Sequence, residues 1–420
     1  MSLWPEYKDQ WKTFDPRIRR FLFAVFFYQL ALVVFNLFYN LYLLELGFRE
    51  DFLGVINGLY PLAAGLIALP GGILSDRFGR QRAISLAFSL SILTILGRVY
   101  LVSVPVVYGL FFLDGLGFGL YAVAQGPFVF ENSRPEERIS VFTFLFLAAL
   151  LPGIIGTSWG GYLPHVVRLL APGLTRANIF RVVLTASPLF LLAAVAVLTR
   201  IEEAGPPPQA GASLTISLAP GEWSVVGKFL ITTALISFGA SHFLPFMNAF
   251  FSRALQATPA QIGVIFSLSQ ATVALASLSA PFLAEKMGKI RAIVFFQSFA
   301  VPLLFTMAWA PNLAITAVAF ALRNAFMQMV GPIKNPLALS LVTQENRGKV
   351  NGILNLGNSL AQSGGSFSAG YIIHYIGYGP SFSVAAVTYF ISTVLFWLFF
   401  RHLDKNDSSD SGPKGRPLPT

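Results

Sequence analysis

The sequence predicts an all-α membrane protein of twelve transmembrane helices, arranged as two pseudo-symmetric six-helix bundles. Three observations carry this. Of the 420 residues 55% are hydrophobic and only 11% charged, with a mean hydropathy of +0.66, against about 25% charged in a soluble domain. The apolar residues gather in runs of about 20, the length of helix that crosses a hydrocarbon core, where a backbone must hydrogen-bond to itself. The third observation is an internal repeat. The segment 71–82, Gly-Gly-Ile-Leu-Ser-Asp-Arg-Phe-Gly-Arg-Gln-Arg, returns 209 residues later around Glu285, Lys286, Gly288, Lys289 and Arg291. At the same offset Gly54 matches Gly263, Ile84 matches Ile293, Pro127 matches Pro336, Arg138 matches Arg347, and Gly161 matches Gly370. An offset held without gaps over such a length marks a duplicated unit.

The elements follow in order. A basic tail, 1–18, leads into a first bundle over 19–199, with spans at 19–44, 52–74, 83–103, 105–132, 139–163 and 179–199. Residues 200–222 carry Glu202, Glu203 and the run Pro206-Pro207-Pro208, and read as a central linker. The second bundle, 223–401, has spans at 223–252, 259–284, 291–310, 312–342, 348–373 and 380–401. The polar remainder, 402–420, reads as a disordered tail.

Twelve spans put both termini on one side. With that side cytoplasmic, 21 of the 29 Lys and Arg residues fall inside and five in external loops, as the positive-inside bias requires. The loop 164–178 resists the pattern by carrying Arg168 and Arg176. Its Val166, Val167, Leu169 and Leu170 fit either an ordinary loop or a segment lying on lipid. The first residues lack the pattern of a cleavable signal. There are no cysteines, so disulfides and cysteine-held metals are excluded. No phosphate-cradling Gly-x-x-x-x-Gly-Lys loop or His-Glu-x-x-His pattern occurs. Neither an enzyme nor a metal site is expected. The net charge of +10 follows membrane topology, so nucleic acid is not an expected partner.

Charges inside spans are costly and mark pathways. Asp114 and Arg323 are related by the repeat, which sets them opposite one another. They are expected either to pair as a fixed salt bridge or to form and break a pair. Lys334 lies 11 residues beyond Arg323, three turns or about 16 Å along the same face, where it either joins the pathway or reaches for headgroups. Arg98, near the outer end of its span, is expected to reach headgroups too. Polar stripes run along Gln29, Asn36 and Asn40, along Ser237, Ser241 and Asn248, and along Asn351, Asn355, Asn358 and Gln362. Buried amides need partners or water, so these faces, with Gln328, suggest a wet cavity. His242 fits a hydrogen-bonding role or a proton carrier.

The 71–82 loop needs a tight reversal, and Gly79 permits backbone angles that a Cβ forbids. Asp76 is free to pair with a basic side chain or meet a helix N-terminus of the other half. Arg77, Arg80 and Arg82 reach toward Glu131 or anionic headgroups. Such pairs contribute on the order of 1 kcal/mol each, weak enough for a latch that must open.

The loop, the six-plus-six spans and the central linker resemble the Major Facilitator Superfamily over the whole chain apart from its tails. The family's signature Gly-x-x-x-Asp-Arg-x-Gly-Arg-[Arg/Lys] is matched from Gly72 through Asp76, Arg77, Gly79 and Arg80, with Gln81 where a basic residue is usual. Gly153, Gly156, Gly160 and Gly161 resemble in part the glycine-rich fifth helix of the bacterial drug–proton antiporters, while the arginine motif of their fourth helix is absent. The resemblance implies a central cavity lined by the first, fourth, seventh and tenth spans; if the Asp114–Arg323 pair forms and breaks, Asp114 is the proton acceptor there. It further implies a cytoplasmic gate at Gly72, Asp76, Arg77, Gly79, Arg80, Glu131, Glu285, Lys286 and Gly288. The implied function is proton-coupled export of small organic molecules by a plasma-membrane monomer in the lipid bilayer. No cofactor is implied, the proton gradient being the driving force. Arg323 and Lys334 outweigh Asp114 by one charge, which supports organic-anion uptake as the second reading. A non-transporting sensor or scaffold is the third.

Overall fold

The computed structural model describes residues 11–201, 220–310, 312–343 and 346–403. Most of the predicted linker (202–219), the tail from 404 and residues 1–10 lie outside the described residues. Fourteen α-helices of seven residues or more follow in order: α1 (Pro16–Glu45), α2 (Glu50–Phe78), α3 (Arg80–Tyr100), α4 (Val104–Glu131), α5 (Arg138–Gly160), α6 (Leu163–Leu170) and α7 (Arg176–Leu198), then α8 (Pro220–Ser241), α9 (Met247–Arg253), α10 (Pro259–Met287), α11 (Lys289–Trp309), α12 (Leu313–Ser340), α13 (Arg347–Tyr375) and α14 (Tyr378–Phe400). The described residues contain no strand.

Eleven of the described spans are long and apolar enough to cross a membrane. α13 is long enough but too polar for that test. Its amides and glycines are carried because it packs between α2 and α8, with Asn358 accepting a hydrogen bond from Ser237 of α8. The chain is therefore a multi-pass integral membrane protein.

The ends of the helices are set by local chemistry. Pro16 opens α1 while Asp15 accepts from the Arg17 amide at 2.7 Å, a standard N-cap arrangement. α2 turns into α3 through Gly79 alone, at φ 98°, and α10 turns into α11 through Gly288 alone, at φ 87°. Both angles lie where a Cβ is costly, and the two glycines are 209 positions apart. The predicted reversal thus occurs in both halves. Gln81, the departure from the signature, donates to the Leu198 carbonyl at 2.8 Å and so satisfies the C-terminus of α7.

Two elements differ from the expected pattern. The seventh span, expected to be continuous over 223–252, breaks after Ser241, passes through a 3-10 turn at Leu244–Phe246 and resumes as α9. Pro245 has no N–H to continue the ladder, and its own carbonyl is taken by Asn40 of α1 at 2.7 Å. The expected loop 164–178 begins with α6, whose Val166, Leu169 and Leu170 are exposed.

The halves meet through two glycine crossings. A Cβ on Gly54 of α2 would stand 2.6 Å from the Gly370 Cα of α13. A Cβ on Gly263 of α10 would stand 2.8 Å from the Gly161 Cα, just past α5. The repeat maps one contact onto the other, because Gly54 matches Gly263 and Gly161 matches Gly370. Both crossings lie toward the face opposite the termini, here the far face.

Candidate functional site

A cavity of about 420 Å³ lies between the halves, just inside the far face. α1 contributes Phe35, Asn36, Tyr39 and Asn40; α2 contributes Asn57 and Tyr60; α3 and α4 contribute Arg98, Phe111 and Asp114. From the second half come Pro245, Asn248, Phe266 and Gln270. Five amides and five aromatic rings therefore surround one acid and one base.

The acid and base neutralise each other. Arg98 donates to Asp114 Oδ2 at 2.8 Å, while Ser91 and Thr94 donate to Oδ1 at 2.8 and 2.9 Å. The guanidinium carbon lies over aromatic rings, 4.3 Å from the Phe111 centroid and 4.8 Å from that of Phe35. Arg98 is 2% exposed and Asp114 3%. This corrects two expectations: Arg98 does not reach for headgroups, and Asp114 does not pair with Arg323. Arg98, on the adjacent helix, supplies the counter-charge without crossing the cavity. Sequence reasoning missed the pairing, although Ser91, Thr94 and Arg98 at spacings of three and four already put two hydroxyls and a cation on one face of α3.

Arg323 points into the second bundle. It bonds the Tyr389 hydroxyl and donates to Asn324 at 2.9 Å, its Cζ lies 4.3 Å from the Phe243 ring centre, and its Nε has no partner among the described residues. Lys334 is buried in the same bundle, 5.3 Å from the Phe396 ring, so it reaches neither headgroups nor this cavity. The duplication puts Asp114 and Arg323 at matching positions of the two halves, but each side chain takes partners in its own half. The surplus positive charge expected in the cavity is not there.

The stripes divide. Asn40 Nδ2 donates to the Pro245 carbonyl and to Asn248 Oδ1, and Asn248 Nδ2 donates to the Asn36 carbonyl at 3.1 Å. These amides staple α1 to the broken seventh span and wall the cavity. Asn358 and Gln362 are half-buried on α13, while Asn351, Asn355 and Gln328 are exposed. His242 is fully buried, with Nδ1 at 3.0 Å from the Phe238 carbonyl and Nε2 at 3.2 Å from Ser368 Oγ. Both ring nitrogens are engaged within the second half.

At the face bearing the termini, Arg80 contacts Asp76 at 2.5 Å and Glu131 at 3.0 Å, joining α2, α3 and α4 of one half. Asp76 therefore does not reach the other half here. Arg77 is exposed, and Gly72 has open space around it. The repeat of this cluster does not reproduce it. Glu285 is exposed without an ion pair among the described residues, and Lys286 lies over the Phe282 ring at 4.3 Å. The glycines of α5 split between two roles. Gly156 and Gly160 pack on α1, whereas Gly153 and Gly161 face α10 across the seam.

The far face holds a cluster that sequence reasoning missed. Glu50, at the start of α2, accepts from Arg253 of α9 at 2.8 Å and from the Tyr378 hydroxyl of α14 at 3.3 Å. His374 of α13 stands 3.9 Å away. In the sequence Glu50 sits between Arg49 and Asp51 and reads as one more loop charge.

Residues 21–228 and 229–420 each match the family profile of the Major Facilitator Superfamily. An "Uncharacterized MFS-type transporter" of Methanocaldococcus jannaschii is 27% identical over 105 residues, which span 25% of this chain and 26% of that relative. Among solved structures, a bacterial homologue of the human lysosomal transporter Spinster, inward-facing and occupied, superposes with a TM-score of 0.74 at 14% identity, covering 91% of this chain and 96% of that one. A D-xylose–proton symporter gives 0.72 at 15%, covering 91% and 96%. The nucleoside transporter NupG gives 0.72 at 14%, covering 93% and 99%. At these identities the likeness is one of fold.

Proposed function

The chain belongs to the Major Facilitator Superfamily, and we propose that within it the protein is a secondary active transporter. It works by alternating access and exports a small, uncharged or zwitterionic organic molecule in exchange for protons. The observation that carries this is the cavity between the halves, where Arg98 and Asp114, the only charged lining residues among those described, cancel each other. A substrate with a net charge would enter a low-dielectric pocket without compensation, whereas five amides and five rings suit a polar molecule with an apolar face. Organic-anion uptake loses the argument that favoured it, since Arg323 and Lys334 are held within the second bundle.

Alternating access asks for two arrangements of the halves around one site. The hydrogen bonds at Asn40 and Asn248, the ion pair at Glu50 and both glycine crossings join the halves toward the far face. The Asp76–Arg80–Glu131 cluster belongs to one half, which suits a gate that is open on the side of the termini. On this reading the termini are cytoplasmic, the membrane is the plasma membrane, the protein acts as a monomer and the proton gradient is the sole driving force. Asp114 takes up a proton when Arg98 is drawn away from it.

Reconstituted protein tests this. Asp114→Asn can hydrogen-bond like a protonated Asp but cannot release a proton. Net uphill transport driven by a pH gradient should stop, while exchange of labelled for unlabelled substrate should survive. A substrate for the assay comes from a thermal-shift screen of metabolites and drugs, because a ligand at 100 times its Kd adds about 2.7 kcal/mol. Full proton-driven transport by Asp114→Asn would remove Asp114 from the mechanism. Co-purification of a stoichiometric partner with no transport of any ligand would favour a sensor.

A further inference from the structure

Arginines on the far side run against the positive-inside bias, so each one there asks for a physical reason. The topology puts five on that side: Arg49, Arg168, Arg176, Arg181 and Arg253. Four are answered within the protein. Arg49 Nη1 lies 3.4 Å from His374 Nε2, and Arg181 donates to the Tyr42 hydroxyl at 3.2 Å and to Asn178 at 3.3 Å. Arg176 pairs with Glu45 at 3.3 Å, and Arg253 pairs with Glu50 at 2.8 Å. Arg168, in the last turn of α6, has neither an ion pair nor a hydrogen bond among the described residues. A cation there suits the helix dipole, but the dipole leaves the guanidinium its donors. Arg168 lines a cleft of about 1230 Å³ at the far face, between the halves. The one acid among the described residues of that cleft is Glu45, which Arg176 already holds.

α6 itself indicates what lies beside it. Val166, Leu169 and Leu170, at spacings of three and four, share one side of the helix, and Leu169 and Leu170 are 69% and 81% exposed. Pro164 and Arg168, four apart, share another side, with Pro164 buried. Trp159 and Tyr162, at the end of α5, are exposed as well, and such rings sit at the headgroup level of a membrane. A short helix that leaves a span at that level with a bare leucine side lies in the interface, its apolar side at the acyl boundary. What Arg168 meets outside the protein is therefore the headgroup layer, and the anion of that layer is phosphate. A planar guanidinium matches two phosphate oxygens at once.

We propose that α6 lies in the far leaflet and that Arg168 holds the phosphate of an anionic phospholipid there, its headgroup seated in the cleft. A zwitterionic headgroup would set its own cation among Arg168, Arg176 and Arg253, whereas an anionic one brings only the charge that Arg168 lacks. A hydroxyl-bearing headgroup such as glycerol also meets Ser252, Gln256 and Thr258 on the opposite wall. The acyl chains run along Val166, Leu169 and Leu170. The site is separate from the cavity that holds Asp114 and shares none of its described lining residues. The loop that resisted the positive-inside pattern thus keeps its unpaired arginine for a lipid.

The test uses the absence of native cysteine. A bimane fluorophore on Leu170→Cys, in the full chain reconstituted into bilayers, is quenched by lipids that carry bromine on their acyl chains. Brominated phosphatidylglycerol and brominated phosphatidylcholine, each mixed with the unbrominated other, give the relative affinity at this one place. Both should quench, and phosphatidylglycerol should be preferred several-fold. Arg168→Gln should bring the two lipids to equal affinity while both still quench, and salt at about 1 M should weaken the preference of the intact protein. No quenching by either lipid would put α6 in water and overturn the proposal. So would equal affinity in the intact protein, or a preference that survives in Arg168→Gln. If Arg168→Gln does not fold, Arg168→Met, which keeps an apolar stem, takes its place with the same expectations. Free phosphate is the rival source of the anion. Inorganic phosphate should weaken the preference no more than chloride of the same ionic strength; if it abolishes the preference where chloride does not, the site takes a soluble anion and the lipid assignment fails. The readout needs neither substrate nor transport, so its failure leaves the transporter reading standing.

Discussion

Asp114 and Arg98 are buried within a single half, and each answers for the other's charge. Removing one partner of such a pair leaves an uncompensated ion and costs about 3–5 kcal/mol, while replacing both by apolar residues is often tolerated. Arg98→Met should therefore lower the unfolding temperature in detergent steeply, and Arg98→Met combined with Asp114→Leu should recover most of the loss. Asp114→Asn and Arg323→Gln should add, because the two residues share no partner among the described residues. Strong coupling between Asp114 and Arg323, with additivity at Arg98, would reverse this assignment. Asp114 was legible in the sequence because an acid inside an apolar span is expensive. Its partner was not, because an arginine near the end of a span looks the same whether it turns outward to headgroups or inward to a carboxylate. Glu50 was hidden differently. It borders a short loop with charges on both sides, and only the packing of α9, α13 and α14 singles it out.

Glycine has two distinct jobs in the helices, and the sequence shows only one of them clearly. Gly79 and Gly288 each make a reversal alone at positive φ, which the charged, repeated loop already demanded. Gly79→Ala and Gly288→Ala should each cost about 1–3 kcal/mol in thermal unfolding, and an unchanged transition in both would show that the turns relax. Gly54 and Gly263 have ordinary backbones but stand at the crossings, where a methyl group would meet the Gly370 or Gly161 Cα. Gly54→Ala and Gly263→Ala should raise labelling of a cysteine placed at Asn248 from the far side, because each wedges the seam apart. Labelling no faster than in their absence would mean that the crossings do not hold the gate. The offset of 209 marks Gly54, Gly263, Gly161 and Gly370 as identities, yet which pairs touch required the fold. The break in the seventh span was obscured in the same way. Pro245 is plain in the sequence, but proline is tolerated inside membrane helices, and the surrounding apolar residues continue the run.

Duplication gives the molecule two halves that can move as bodies, and the contacts between them determine which face is shut. Ser158 of α5 and Ser267 of α10 bring their hydroxyls within 2.5 Å across the seam. In a chain without cysteine, Ser158→Cys with Ser267→Cys places two thiols there and nowhere else. Oxidation should cross-link the halves on the far side, stop turnover of reconstituted protein, and be reversed by a reducing agent. The control joins residues of one half. A Cβ on Gly117 of α4 would lie 3.8 Å from the Ala87 Cα of α3, close enough for a disulfide, so cysteines at those two positions tie one bundle to itself. That link should leave turnover largely intact, because rocking of rigid bundles does not require α3 to move against α4. Equal inhibition by both links would point to rearrangement within a bundle. Full turnover with the Ser158–Ser267 link closed would mean that the far face need not open at this seam, and the rigid-body account of the halves would fail.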